Sequence, residues 1–184
     1  METYLAPIEN PTNPVMKLAY YLTRKRFGKV ITPVKVYAAR MPLAFGMFQG
    51  KISELDKKVS LSTEMIFLIR QHVAQINICE FCIDIARAEA IKSSLNPAKF
   101  DALVNYTNSP LVINAEKAAL DYVTELTRHK KASPELFNTL TKHYNEREIC
   151  EIIYLVATEH VYNITNIGLN IHSDLLCDIS KRKN

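Results

Sequence analysis

The sequence predicts an all-α protein built as a single-domain helical bundle. Four helix starts pair a capping side chain with a proline at the first helical position: Asn13-Pro14, Thr32-Pro33, Asn96-Pro97 and Ser133-Pro134. Apolar residues then recur three to four positions apart, as at Met65, Ile69 and Val73. Alternating strand-like runs are scarce, and only four glycines interrupt the 184 residues. These observations together favour helices along the whole chain.

The elements follow in order from these signals. Three further starts are predicted at Ser62, at Asn114 before Glu116, and at Asn145, whose Glu148 completes a capping box. A cysteine pair, described below, opens another helix at Cys79. The predicted helices cover residues 14–27, 34–48, 62–76, 79–94, 97–106, 115–130, 134–143 and 146–170.

The segment 149–171 is the most apolar part of the chain, and its apolar residues cover more than one helical face. Such a helix lies either at the centre of the fold or in a subunit interface. His160, Asn163 and Asn166 interrupt it. If they are buried they need hydrogen-bond partners, so they either line a pocket or are satisfied within the core.

Length and composition limit the classes of protein. No run approaches the roughly 18 to 20 apolar residues that span a bilayer, and residues 1–13 lack the pattern of a signal peptide. We therefore expect a soluble, cytoplasmic protein with no membrane partner. The net charge of +4 owes much to two basic clusters, Arg24–Lys29 and Lys181–Lys183, and no face carries basic residues interleaved with exposed aromatics. This pattern argues against a nucleic-acid partner.

Cys79 and Cys82 carry the clearest chemical signal. Residues three apart on a helix have Cα atoms about 5 Å apart, within the range that a disulfide tolerates. At a helix start, free N–H groups and the helix dipole favour the reactive thiolate. The spacing therefore predicts a thiol/disulfide pair that opens and closes reversibly.

Two other interpretations of the pair remain open. Zinc needs about four ligands and a second ligand pair is missing, because Cys150 and Cys177 lie far apart. The two cysteines could also simply pack as small apolar residues. We assign Cys150 and Cys177 no role, and we expect the acidic neighbours Glu80 and Asp84 to be exposed to solvent.

The stretch 72–90, His-Val-Ala-Gln-Ile-Asn-Ile-Cys-Glu-Phe-Cys-Ile-Asp-Ile-Ala-Arg-Ala-Glu-Ala, resembles the core of the alkyl hydroperoxidase D-like proteins, a branch of the carboxymuconolactone decarboxylase family. Residues 108–122 and 151–170 resemble the family's following helices, with Asn163 at its usual asparagine. The resemblance covers residues 60–172 as the core, and residues 1–60 are expected to form an N-terminal helical extension.

The resemblance implies a trimer or hexamer whose thiols reduce hydroperoxides or exchange with thiol partners, without a cofactor or metal. It makes Cys82 the attacking thiol and Cys79 the resolving one. The family's proton relay of one glutamate and two histidines is absent, because Phe67, Phe81 and Ala86 occupy those positions. General base assistance is worth about 10² to 10⁴ in rate, so we expect slow turnover.

Three residues are predicted as substitutes for the missing relay: Glu64, His72 and His160. The leading hypothesis is an antioxidant enzyme that uses Cys79 and Cys82, a hydroperoxide substrate, and a dithiol or protein thiol as electron donor. The first alternative is a non-catalytic, redox-responsive interaction protein, which the missing relay favours. A second alternative is the lactone decarboxylase chemistry of the wider family, for which no basic pocket is evident.

Overall fold

The computed structural model describes residues 2–181 and confirms the all-α prediction. Nine α-helices run through this part of the chain. They are α1 (Pro14–Phe27), α2 (Pro42–Asp56), α3 (Thr63–Ile76), α4 (Glu80–Lys92), α5 (Pro97–Asp101), α6 (Asn114–His129), α7 (Pro134–Leu140), α8 (Glu146–Gly168) and α9 (Leu176–Lys181). A π-helical turn occupies Val34–Ala38, and a 3₁₀ helix occupies Ala102–Asn108. Arg182 and Lys183 of the predicted basic cluster lie outside the described residues.

Most predicted helix starts are confirmed at the level of single hydrogen bonds. The side chains of five residues accept a bond from a backbone N–H in the first turn of the following helix: Asn13, Ser62, Asn96, Ser133 and Asn145. Asn114 is one exception, since it is the first residue of α6 and Ile113 is the cap. There the Glu116 carboxylate accepts the Ile113 N–H at 3.0 Å.

The predicted helix over residues 34–48 is wrong. The Thr32 hydroxyl donates to Asp174 at 2.8 Å instead of capping a helix, and only a π-helical turn follows. Met41, with φ −130° and ψ 57°, breaks the chain direction, and Pro42 starts α2, which continues to Asp56. Helix α9 was not predicted from the sequence, and the helices predicted at 97–106 and 134–143 extend beyond the ends of α5 and α7.

Two hydrophobic clusters organise the described chain. The larger one packs α3, α6 and α8 together, with fully buried residues such as Leu68, Ile152 and Leu155 at its centre. The smaller one joins α1, the π-helical turn, α4 and α9 through Met16, Val36 and other apolar side chains. Helix α4 packs against both α3 and α9, so the cysteine pair at its start lies where the two groups of helices meet.

Asp84 fastens the C-terminal segment to α4. Its carboxylate is buried and accepts the N–H groups of Asp174, Leu176 and Cys177 at 2.8 to 3.1 Å. The expectation that Asp84 is exposed is therefore wrong, because the first backbone N–H groups of α9 need an acceptor and Asp84 provides it. Glu80 is exposed as expected.

Candidate active site

The turn before the cysteine pair joins the end of α3 directly to the start of α4, with no residue beyond those of the turn itself. The Cys79 N–H donates to the Ala74 carbonyl at 2.9 Å and the Ile78 N–H to the Gln75 carbonyl at 3.2 Å. These two bonds form a Schellman motif, in which glycine usually takes the left-handed position. Here Ile78 takes it with φ 57°, although it is β-branched and 78% exposed. Such strain costs about 1 to 3 kcal/mol and persists only where the surrounding structure enforces it.

Cys79 and Cys82 form a disulfide with their Cα atoms 5.3 Å apart. Cys79 is the N-cap residue of α4, and Cys82 is the third residue of the helix. Both residues are buried, with 1% and 3% of their surface exposed. Ala74, Ile83 and Tyr162 pack around them. The sequence prediction of a pair within bonding distance at a helix start matches this geometry.

One polar side chain contacts the pair directly. The Asn166 amide of α8 donates to Cys82 Sγ at 3.4 Å and is itself buried. A donor placed there stabilises negative charge on sulfur, because hydrogen bonds to an ionised acceptor are stronger than those to a neutral one. Of the two cysteines, Cys82 is therefore the one whose thiolate is placed to accept a hydrogen bond from a side chain.

A chain of hydrogen-bonded amides begins at Asn77, two residues before Cys79, and leads into the interior of α8. The Asn77 amide donates to the Asn163 carbonyl oxygen at 2.8 Å and lies 3.2 Å from His160 Nδ1. Since Asn77 donates, His160 Nδ1 is an acceptor and the imidazole is neutral. Partial burial and the charge of Lys130, 3.4 Å from His160 Nε2, lower the pKa of His160.

Glu159 ends this chain. Its side chain is buried and accepts from the Asn163 amide at 2.6 Å. The nearest cation is Arg70, whose Nη1 lies 3.7 Å away. Arg70 Nη2, however, donates to both carboxylate oxygens of Asp56 at 2.9 and 3.0 Å. Burial therefore dominates and raises the pKa of Glu159 to about 7.

Of the three predicted relay substitutes, His160 is the one that hydrogen-bonds to the turn before the pair, through the amide of Asn77 at 3.2 Å. Glu64 lies at the opposite end of α3, where it forms an ion pair with Lys99, which also bonds Glu116 at 2.6 Å. Glu64 is thus engaged in an ion-pair cluster far from the sulfurs.

His72 faces away from the pair toward α6. Its Nε2 donates to Thr124 Oγ1 at 2.7 Å, because the Thr124 hydroxyl hydrogen is already given to the Leu120 carbonyl. The ring packs edge-on against Tyr106, and its Nδ1 is buried without a partner. Burial lowers the pKa of His72 to about 4, with a smaller effect from Arg128, so the ring is neutral.

The three positions of the absent relay are apolar and packed. Phe67 contacts the larger cluster, Phe81 belongs to the smaller one, and Ala86 is buried. No rotation of these side chains could supply a proton acceptor, so any acceptor must come from another helix.

Helix α2 contacts α8 through tyrosine side chains of α8. Its Gln49 side chain lies beside the hydroxyl of Tyr162, which packs against the cysteine pair. Asp56 accepts from the Tyr154 hydroxyl at 3.0 Å, and Ile52 is the only residue of α2 that is buried. Burial raises the pKa of Tyr162 to about 12, so its hydroxyl stays protonated. Because both cysteines are buried, a reagent reaches the sulfurs only when side chains packed against them, such as Tyr162, move.

Four residues of this region were not predicted from the sequence: Glu159, Arg70, Asn77 and Tyr162. A signal for Glu159 was available, since Glu159, Asn163 and Asn166 are four and three residues apart and share one face of an apolar helix. No local sequence pattern indicated Arg70 or Tyr162, because both join the site through contacts between helices. His172, whose Nδ1 lies 2.9 Å from Glu80 beside Cys79, was also missed.

Within residues 2–181, no group of three or more His, Cys, Asp or Glu side chains is placed to share a metal ion. Over the same residues, no helix combines the length and apolar character needed to cross a membrane.

Sequence comparisons identify distant relatives of uncharacterised function. No family model matches the chain. It is 23% identical to the uncharacterized protein YnjA of Escherichia coli (strain K12) over 171 residues, which cover 92% of this chain and 93% of YnjA. It is 25% identical to the uncharacterized protein YdfG of Bacillus subtilis (strain 168) over 120 residues, covering 64% of this chain and 82% of YdfG.

Solved structures define the fold. The debrominase Bmp8, solved in complex with 2,3,4-tribromopyrrole, aligns with a TM-score of 0.82 and 18% identity over 100% of this chain and 98% of its own. A Ralstonia eutropha protein with an alkylhydroperoxidase AhpD core aligns at 0.78 and 15% identity, covering 97% and 96%. An Agrobacterium tumefaciens protein, described as a putative antioxidant defence protein AhpD, aligns at 0.70 and 24% identity, covering 74% and 94%. The chain therefore has the all-helical alkyl hydroperoxidase D-like fold.

Proposed function

We propose that this protein is a thiol-dependent oxidoreductase that reduces hydroperoxides or disulfides through Cys79 and Cys82. The observation that carries the proposal is the disulfide at the start of α4, whose Cys82 sulfur accepts a hydrogen bond from Asn166. The alkyl hydroperoxidase D-like fold supports the same class of chemistry.

The reaction needs only the two thiols and an external dithiol. The Cys82 thiolate attacks a hydroperoxide oxygen, which breaks the O–O bond, gives a sulfenic acid on Cys82 and releases an alcohol after protonation. The Cys79 thiol then attacks the Cys82 sulfur, so a disulfide forms and water leaves. A dithiol donor restores both thiols by exchange and is itself oxidised to a disulfide.

Turnover should be slow for two reasons. The family's relay positions are Phe67, Phe81 and Ala86, so no base stands at those places. The oxidised pair is also buried beneath Tyr162, so each reduction by a dithiol requires a local opening.

The test is a peroxide-consumption assay with a dithiol reductant. Cys79→Ser and Cys82→Ser should each abolish repeated turnover, and Cys150→Ser, which removes an exposed cysteine elsewhere, should leave it unchanged. Full activity in both serine variants of the pair would reject the proposal. The same assay addresses the redox-responsive alternative, because a sensor would consume about one peroxide per pair whereas a catalyst continues.

Reductive dehalogenation is a second candidate activity. The observation that favours it is the likeness to the debrominase Bmp8 over the whole chain, including the N-terminal helices. In that reaction a dithiol would supply two electrons: a carbon–bromine bond becomes carbon–hydrogen, bromide and a proton leave, and the thiols become a disulfide. Bromide release from a brominated pyrrole by the reduced protein, absent in Cys82→Ser, would support it.

We further propose that the protein is a homo-oligomer, a trimer or hexamer. The outer face of α8 is apolar and exposed at Ile153, Val161, Ile164 and Ile167, which are from 38% to 68% exposed. A monomer would leave this stripe in water, which is unfavourable for a contiguous apolar face. Sedimentation should show the oligomer at micromolar concentration, and Ile164→Glu should dissociate it.

A further inference from the structure

Glu159 and the cysteine pair lie at two ends of one buried polar stripe on α8. From Glu159 the stripe passes through Asn163, which is fully buried, to Asn166, which contacts Cys82 Sγ. Glu159 and Asn166 are seven positions apart, which corresponds to about 10 Å along a helix. All three residues of the stripe are buried, with at most 6% of their surface exposed.

The charge of Glu159 is incompletely neutralised where it lies. It has one short hydrogen bond, from Asn163, and a cation at 3.7 Å that Asp56 already holds. Arg70 even keeps its Nε buried without a partner. By contrast, Glu151 on the same helix accepts two backbone N–H groups, the Ser60 hydroxyl and Arg147.

We propose that Glu159 is a positioning residue that controls the charge of the cysteine pair: its negative charge opposes formation of the Cys82 thiolate, and its protonation permits it. This inference deepens the proposed function by assigning a regulation to the same site. It requires no contact between the carboxylate and the sulfur, because the two charges act on each other through a poorly solvated interior.

The size of the effect follows from the spacing. Two like charges about 10 Å apart at an effective dielectric of about 20 change each other's pKa by about one unit. Because Glu159 itself titrates near neutrality, it and Cys82 titrate as a coupled pair. As the pH rises through about 7, the ionising carboxylate holds back the thiolate, which spreads the titration of Cys82 over a wider pH range.

Other charged groups face this stripe from every packed element. They are Arg70 on α3, Asp56 on α2, Lys130 after α6, His160 and Tyr162 on α8, and Glu80 with His172 at the start of α4. Arg70 and Asp56 are paired with each other, and the lowered pKa of His160 keeps it neutral at pH 7. Glu159 is the buried carboxyl of this set, and burial raises its pKa to about 7.

The experiment is an NMR titration of the Cys82 Cβ signal in the fully reduced protein. Glu159→Gln should lower the pKa of Cys82 by about one unit and narrow its titration. At a pH below the pKa, that shift corresponds to up to tenfold more Cys82 thiolate. The matched control is Glu151→Gln, a buried glutamate on the same helix that should leave the Cys82 titration unchanged. An unchanged or raised pKa of Cys82 in Glu159→Gln would overturn the proposal.

A second measurement needs no substitution at Glu159. Because the coupling is reciprocal, the carboxyl signal of Glu159 should titrate higher in the reduced protein than in the disulfide form to the extent that Cys82 is ionised at the pH where Glu159 titrates. A lower pKa of Glu159 in the reduced protein would also overturn the proposal. Neither titration depends on peroxide turnover, so loss of activity in the peroxide assay and failure of this inference are distinguishable.

Discussion

Helix α8 carries two buried glutamates that the fold treats in opposite ways. Glu151 has four hydrogen bonds, including the N–H groups of Ser60 and Leu61, and these hold its pKa below the ordinary value despite burial. Glu159 has one hydrogen bond and a cation shared with Asp56, and burial raises its pKa to about 7. The two glutamates lie two turns apart on one helix. The number of hydrogen-bond donors around each decides whether a buried carboxyl group stays charged or titrates near pH 7.

The largest expected effect is on stability at alkaline pH. Because the pKa of Glu159 is raised in the fold, its neutral form stabilises the protein below the unfolded value of about 4.5, and this contribution is lost as the pH rises to about 7. Glu159→Gln should therefore be more stable than wild type by about 3 kcal/mol at pH 8, and about equal at pH 4. Urea unfolding at both pH values measures the difference. Identical urea unfolding curves of the variant and the wild type at pH 8 would contradict the difference in pKa between the two glutamates.

A slightly smaller effect of opposite sign is expected at the other glutamate. Glu151→Ala should destabilise the protein by about 2 to 3 kcal/mol at pH 7, because the buried Leu61 N–H loses its acceptor. The pKa of Glu151 is lowered, so its contribution is present above about 4.5 and disappears as the pH falls. Thermal unfolding between pH 3 and 7 checks this dependence, and a loss that persists undiminished at pH 3 would contradict it.

The third prediction concerns Asn163, whose side chain is the single hydrogen-bond donor to Glu159. Asn163→Ala removes the 2.6 Å bond and leaves one Asn77 donor unpaired, so we expect a loss of about 1 to 2 kcal/mol at pH 5. The pKa of Glu159 should rise above that in the wild type, since this bond lowers it. An NMR titration of the Glu159 carboxyl measures the change, and a fall in the pKa would show that another group controls it.

The smallest effect is expected at Arg147, the exposed partner of Glu151. Its side chain is 68% exposed, and exposed ion pairs contribute about 0 to 1 kcal/mol. Arg147→Ala should therefore cost less than 1 kcal/mol in urea unfolding. A cost close to that of Glu151→Ala would mean that Arg147, and not the backbone N–H groups, anchors Glu151.

What the sequence predicted well depends on residues close together in the chain. The side-chain caps at Asn13, Ser62, Asn96, Ser133 and Asn145 each need only the next two or three residues. The cysteine pair is equally local, because two residues three apart at a helix start are within bonding distance in any such helix. Fold class and the centre of the site were therefore accessible from local patterns.

What the sequence did not predict depends on contacts between distant segments. Thr32 has the pattern of a helix cap but donates to Asp174, 142 residues away, so the helix predicted after it does not form. Asp84 has the composition of a surface acid but is enclosed by the C-terminal segment. The role of Glu159 depends on Arg70 being held by Asp56, which no spacing within α8 reveals.

The turn before the disulfide, with its one left-handed residue, cannot change in length without displacing α4. Because Cys79 completes the end of α3 and begins α4, the joint has no slack, and a single inserted residue would turn α4 by about 100° about its axis. Cys82 would then point away from Asn166, and Asp84 would release the C-terminal segment in the same step. The register of this one turn thus links the alignment of the sulfurs to the anchoring of the chain end.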